Sequence, residues 1–578
     1  MSELDFHIGK IELPIEVSAE ARSWASKILN GLSLEEKIGQ LIHIATWSNR
    51  SEDHQQEIKS IIENYRIGGL IFFQGTPEKQ ADLTNEYQAL SRTPLMISID
   101  GEWGLGMRLE GAEPFPYQMT LGAVQDIDLI DKMGKAVARQ MKRIGVNLNH
   151  APVVDVNTNP QNPVINFRSF GQSKEAVATR GAAYMQGMQS EGVLACAKHF
   201  PGHGDTSADS HKELPFLDKS KEDLKATELY PFVELMNKGL GAMMIAHLQI
   251  PQLEPEPNRA STLSYEIVQD LLKSELGFKG LVVTDALDMR AVADHYAPGK
   301  VDLEALLAGN DVLLFVKSVP SAIEEIKGAV NDGRISEDEI DQRVYKQLLF
   351  KYWMGLSNYE PIALEKINEE VNIDTSAINE VLYKASLTLL GEETALPLST
   401  SDHKTALISL YADGDKIEGG ALSHHTLLKG ADESGGVPLF EKEFAAERGD
   451  EVSQYSLRFD EIETHQQELA QLIAENDQVV LAIHDVKLKA PENFGITPEM
   501  IDFVDQLLLC KKTHLVFFGN PYALSSFKSI SAARSILLTY QENKYTHKYA
   551  AQALLGKYKP QGKLPVDINE HWRAGSGL

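Results

Sequence analysis

Between Lys198 and His211 the chain places three histidines, two aspartates and a lysine: Lys198-His199-Phe200-Pro201-Gly202-His203-Gly204-Asp205-Thr206, then Asp209-Ser210-His211. Gly202 and Gly204 permit backbone angles that other residues avoid, and Pro201 stiffens the turn that enters them. His203 or Asp205 alone could do no more than satisfy a buried loop. Asp209 and His211 stand one residue apart, so in an extended loop both side chains project to one side. A carboxylate on one imidazole nitrogen fixes the tautomer and stabilises the imidazolium. The other nitrogen is then able to protonate a leaving group, and an ordinary pKa of about 6.5 suits neutral pH.

Two further carboxylates stand where apolar runs end. Gly280-Leu281-Val282-Val283-Thr284 runs into Asp285, and Leu95–Ile99 runs into Asp100, followed by Gly101-Glu102-Trp103-Gly104-Leu105-Gly106-Met107-Arg108. An acid at such a place either does chemistry or caps the next helix. Carboxylate, aromatic ring, arginine and flexible glycines together suit a sugar: hydroxyls need charged donors and acceptors, and a ring face stacks on an aromatic one.

These residues have to be positioned by something. Short apolar runs occur at Leu41–Ala45, Gly69–Phe73, Leu95–Asp100, Val146–Asp155, Leu194–Phe200, Ala242–Leu248, Leu281–Asp285 and Asp311–Val316. Amphipathic stretches such as Asp128–Ile144 and Lys174–Glu191 separate them. Runs apolar on both faces and alternating with helices predict a parallel sheet, and eight such repeats predict an α/β fold of the (β/α)8 TIM-like barrel type. A connector at 356–395 follows, with a helix expected over Ile378–Leu390. Strand candidates at Ala406–Leu410, Gln478–Ile483, Leu515–Phe518 and Ser535–Thr539 then predict a smaller αβα sandwich, with a loop at Glu433–Pro438. The expected division is thus 1–355 for the catalytic barrel, 356–395 for connector and helix, and 396–578 for the sandwich.

The run KHFPGHGDTSADSH, with VVTDALDM after it and IDGEWGLGMR before it, resembles the N-acetylglucosaminidase branch of the family 3 glycoside hydrolases. VFFGNPYAL and GKLPVDI resemble that family's second domain more loosely. The resemblance implies a retaining exo-β-N-acetylglucosaminidase without cofactor or catalytic metal. It makes Asp285 the nucleophile and Asp209 with His211 the acid/base pair. It also implies sugar-binding roles for Asp100, Arg108, Arg168, Lys198 and His199, and ligand contact is an open alternative for His247. DGEWGLGMR departs from the DQEGG-type run of many relatives, which leaves the contacts beyond the first sugar undefined.

Composition narrows the partners. The 578 residues carry 55 Lys and Arg against 83 Asp and Glu, a net charge of −28. That charge repels phosphate backbones and anionic lipid, so neither nucleic acid nor membrane is expected; the resemblance implies a small carbohydrate as partner. Cys196 and Cys510, each in an apolar run, are expected to be buried free thiols. MSELDFHIGKIELP lacks a basic stretch followed by an apolar one, so the expected compartment is the cytoplasm, or the periplasm or exterior if a signal has been removed. Oligomeric state is left open.

Alternatives are a β-glucosidase of the same family and a metal-dependent barrel hydrolase using His199, His203, Asp205, Asp209 and His211, although the loop matches no standard zinc spacing. Peptidoglycan fragments and chitin oligosaccharides both offer a terminal β-linked N-acetylglucosamine. A neutral His211, with Lys198 nearby, further predicts that inorganic phosphate intercepts the glycosyl-enzyme and yields N-acetylglucosamine 1-phosphate.

Overall fold

A computed structural model describes residues 12–209, 214–399, 403–411, 439–448 and 452–578. His211 and the loop expected at Glu433–Pro438 lie outside them. The chain forms two compact units that interleave in sequence. One takes residues up to Phe115, Ile130–Val156 and Ala178–Ser376; the other takes Pro116–Leu129, Asn157–Val177 and Ala377–Leu578.

The first unit is built on β1 (Ile42–Trp47), β2 (Gly69–Phe73), β3 (Met96–Ile99), β4 (Leu148–Asn149), β5 (Leu194–Phe200), β6 (Ala242–Ile245), β7 (Leu281–Thr284) and β8 (Leu313–Leu314). Neighbours pair in parallel in the order β7-β6-β5-β4-β3-β2-β1-β8. The Val283↔Val312 bridge, with Thr284 N–H donating to the Val312 carbonyl at 3.1 Å, brings β7 to β8 and closes the barrel. Helices enter with local signals: Ser33 and Glu36 form a capping box, and Thr76 caps a helix that has Pro77 in its first turn.

Side chains alternate along a strand, and one parity fills the barrel. Met96, Leu148, Leu194, Cys196, Ala242, Met244, Leu281, Val283 and Leu314 share one buried cluster. The same parity continues to Asp100, His150, Lys198 and Asp285, so polar residues at the carboxyl ends of β3, β4, β5 and β7 complete the column that apolar residues begin.

The second unit holds β9 (Thr388–Gly391), β10 (Thr405–Tyr411), β11 (Ser453–Arg458), β12 (Gln478–His484), β13 (Thr513–Phe517) and β14 (Ser535–Leu538). Their order is β11-β10-β12-β13-β14-β9, parallel except that β9 runs antiparallel to β14. Helices Leu439–Arg448 and Lys544–Leu554 cover one face, where Leu407, Val480, Ala482, Val516 and Leu537 pack with Phe440, Phe444 and Tyr549. The helix expected over Ile378–Leu390 instead spans Thr375–Ser386, and Thr388–Gly391 pairs with β14. Cys196 is buried as expected, but Cys510 is only half-buried: it ends the helix Pro498–Leu509, and its Sγ lies 3.7 Å from the Gln506 carbonyl. Among the described residues no helix is long and apolar enough to cross a membrane.

Candidate active site

The barrel's carboxyl end carries a dense ionic cluster. Lys198, at the end of β5, donates to Asp100 Oδ1 at 2.8 Å and lies 2.8 Å from Glu102 Oε1. Arg108 Nη2 donates to Asp100 Oδ2 at 2.7 Å. Lysine and Glu102 are almost wholly buried, with side-chain exposures of 3% and 0%. Burial by itself would raise the Asp100 carboxyl, but Lys198 and Arg108 outweigh it and hold the group well below the usual range. Removing Lys198 would take the lysine off the fully buried Glu102 and leave Asp100 to Arg108 alone, at a cost of about 3–5 kcal/mol.

A second carboxylate organises the histidines. Asp155, which follows β4 and is fully buried, accepts from His199 Nδ1 at 2.7 Å and from the His203 backbone N–H at 2.7 Å. His199 is thereby oriented, and Asp155 stays ionised because His199 and His203 overcome its burial. His203 Nδ1 meets Thr206 Oγ1 at 2.7 Å, and burial pushes this imidazole down to about 4. The turn itself depends on Gly202: its φ is +128°, and a Cβ there would lie 2.6 Å from Glu228 Cβ. Glu228 in turn holds Lys219 at 2.5 Å, and Lys219 holds Asp205 at 2.7 Å. Asp209 follows on this anchored loop and is half-buried.

Asp285 continues β7. Its backbone N–H donates to the Ile245 carbonyl at 3.0 Å, and its Oδ1 accepts from Ala286 N–H at 2.8 Å. Burial raises its carboxyl, yet His247, His199, that N–H and Lys198 together bring it below the ordinary carboxylate value. His247 is fully buried, on the parity opposite to Ala242 and Met244, with Nδ1 2.7 Å from Thr262 Oγ1 and Nε2 2.9 Å from the Ala286 carbonyl. Both ring nitrogens are thus engaged by protein atoms, and the ring holds the backbone that follows Asp285. Arg168 belongs to the second unit, where its Nη1 donates to the Val164 carbonyl at 3.2 Å.

Several site residues escape sequence reasoning. Glu102 and Asp155 act through partners distant in the chain. His150, fully buried at the end of β4, is pushed down to about 4 by burial and is neutral beside the charges of Asp100 and Lys198. The aromatic ring suggested by the sequence, Trp103, is buried. Trp47 and Phe73 are half-exposed and stack at 5.4 Å, with Phe315, also half-buried, 5.4 Å from Phe73 and the Arg108 guanidinium 4.7 Å above it. Strand-end position was the available signal for His150, Trp47 and Phe73.

A closed parallel barrel whose carboxyl end gathers ionised aspartates, a lysine and oriented histidines is the architecture of a barrel enzyme acting on a polar substrate. Residues 33–348 match the glycosyl hydrolase family 3 N-terminal domain, and residues 387–575 match the family 3 C-terminal domain. The chain belongs to glycosyl hydrolase family 3. It is 28% identical to beta-hexosaminidase A of Pseudoalteromonas piscicida, over 89% of this chain and 91% of that one. It is 25% identical to a beta-N-acetylglucosaminidase/beta-glucosidase of Cellulomonas fimi, over 96% and 97%. Among solved structures, a family 3 beta-N-acetylglucosaminidase from Paenibacillus sp. superposes with a TM-score of 0.73 at 29% identity, covering 93% of this chain and 99% of that one.

Proposed function

We propose that this protein is a retaining exo-β-N-acetylglucosaminidase that removes terminal β-linked N-acetylglucosamine from peptidoglycan fragments or chitin oligosaccharides. The observation that carries the reading is Asp285: a carboxylate kept ionised at a barrel strand end, in electrostatic reach of Lys198 and His199. Asp285 attacks the anomeric carbon while His211, tuned by Asp209, protonates the departing oxygen. A water that gives its proton to His211 then attacks the same carbon, and the bond to Asp285 breaks with retention. Asp100, Arg108, Lys198 and His199 bind the sugar's hydroxyls, with the first three already locked in an ionic network that needs no rearrangement.

The test pairs selectivity with covalent trapping. In a panel of nitrophenyl glycosides the 2-acetamido-β-glucoside should be turned over fastest, ahead of the β-glucoside. A 2-acetamido-5-fluoro glycoside should label the peptide Leu281–Met289 on Asp285, and Asp285→Ala should lose roughly four decades of turnover. Preference for the glucoside would replace this reading by the β-glucosidase one, and an adduct on another carboxylate would remove Asp285 from its role.

A further inference from the structure

The strand order of the second unit reverses between β10 and β12: β10 continues to β11 on one side, and β12 continues to β13 and β14 on the other. In open α/β sheets the carboxyl ends of the strands at such a reversal form a crevice suited to a ligand. Here Tyr411 and His484 end β10 and β12 as register partners, and their rings stack at 4.6 Å. Phe518 stacks on His484 at 4.7 Å and meets His547 edge-on at 4.8 Å.

Inside this aromatic box, Glu542 Oε1 lies 2.8 Å from His484 Nδ1 and 3.1 Å from His547 Nε2. The three side chains are between 1% and 7% exposed. Glu542 Oε1 accepts from the inner N–H of each ring, which places the protons inward. The outer nitrogens, His484 Nε2 and His547 Nδ1, have no partner among the described residues, so each ring is able to carry its proton there and present an inner lone pair to an ion that displaces the inner one.

The charge around them is one-sided. Glu441, 1% exposed, accepts from Tyr411 Oη at 2.8 Å through Oε1, and its Oε2 has no partner among the described residues. Neither Glu441 nor Glu542 pairs with a lysine or arginine among those residues. Glu542 is held by the two imidazoles and, through Oε2, by Asp485 N–H at 2.8 Å, and a buried carboxylate on two imidazoles is also a donor set for a metal.

We propose that His484, Glu542 and His547 form a divalent transition-metal site of the zinc class in the second unit. Their ligand atoms all lie within 4.8 Å of one another. Tetrahedral coordination with bonds of about 2.0–2.1 Å sets ligand atoms about 3.3 Å apart. The two histidine–glutamate distances, 2.8 and 3.1 Å, lie within tenths of an ångström of that edge, and the histidine–histidine edge lies within 4.8 Å. Two imidazoles and one carboxylate favour zinc over calcium or magnesium, which take oxygen cages. The ion would tie the end of β12 to the helix Lys544–Leu554, and a fourth position would be left for water or a ligand. A cavity of about 370 Å³ lined by Tyr411, Arg458 and Phe459 adjoins this box through the shared Tyr411.

The full-length protein, stripped with a chelator and dialysed, should bind one equivalent of zinc with sub-micromolar affinity and melt several degrees higher for it. Cobalt should give the intense visible absorption of a four-coordinate site. Glu542→Gln and His547→Gln should each weaken zinc binding by at least about tenfold while leaving nitrophenyl glycoside turnover within about twofold of wild type, which reports that they fold. Zinc binding as tight in both variants as in wild type would place the ion elsewhere and overturn the proposal, as would no stoichiometric binding by the wild type. Should the variants not fold, anomalous diffraction from zinc-soaked wild-type crystals decides it: a peak between His484 and His547 supports the site, and its absence there refutes it.

Discussion

Asp285, the proposed nucleophile, shows how one buried carboxylate is kept ionised. Desolvation works to protonate it, and His247, His199, the Ala286 N–H and Lys198 work to ionise it, with ionisation prevailing. Asp100 is held ionised more strongly still. Both carboxylates therefore stay charged well below neutrality, and the stability they confer is present above the ordinary carboxylate range and lost only as pH falls through their lowered values. In the proposed mechanism the alkaline limb of kcat/KM is assigned to His211, the proposed acid. We expect His211→Ala to remove that limb, to slow substrates with poor leaving groups severely, and to affect activated aryl glycosides far less in the glycosylation step. Equal losses for both leaving-group types would reduce His211 to a binding residue. The charged ends of apolar runs, Asp100, Lys198 and Asp285, were legible because strand parity alone delivers them. Asp155 and Glu102 were not, since what they do is decided by partners that sequence spacing does not bring together.

Among the elements, the long apolar strands were legible and the short or exposed ones were not. β4 keeps only Leu148–Asn149 of the expected Val146–Asp155. Pro152 lacks an N–H within that run, and the chain beyond rejoins β5 through Val154 N–H to the Lys198 carbonyl at 2.8 Å. β11 is largely exposed along Ser453–Arg458, so no apolar run announces it. One helix carries a measurable cost. Asp302, in the first turn of Lys300–Ala308, is 1% exposed, and its Oδ1 has no partner among the described residues. Helix position favours the anion, but burial dominates and raises its pKa to about 7. A raised carboxyl contributes stability that is complete below its unfolded value, and that contribution disappears as pH rises through about 7. Asp302→Asn should flatten this loss and gain on the order of 2–4 kcal/mol at pH 8. Melting temperature against pH is the measurement: parallel curves for the two proteins would show that Asp302 does not titrate in this way.

For the whole molecule the question is whether an anion reaches the glycosyl-enzyme, and two charge scales bear on it. The net charge of −28 repels phosphate, but it is spread over a long chain and screened beyond about 10 Å at 0.1 M salt. What counts is the barrel mouth. The sequence suggested that Lys198 lends positive potential there, and the structure removes that support: Lys198 lies 2.8 Å from both Asp100 and Glu102. With Arg108 also on Asp100, two cations face two carboxylates, and the cluster is neutral before phosphate arrives. In the proposed mechanism covalent capture of the sugar neutralises Asp285, so no charge in this group then attracts an anion, and a neutral His211 merely fails to repel one. Water, present at far higher concentration, should therefore win. The expected product at tens of millimolar phosphate, constant ionic strength and neutral pH is free N-acetylglucosamine, with the 1-phosphate a minor species at most by phosphorus NMR. Dominant N-acetylglucosamine 1-phosphate would mean that the acceptor side holds positive charge beyond Lys198 and Arg108. Glu102→Gln separates the two cases: if the local balance governs, this variant frees one positive charge and should raise the 1-phosphate fraction, whereas an unchanged fraction would exclude Lys198 from acceptor selection.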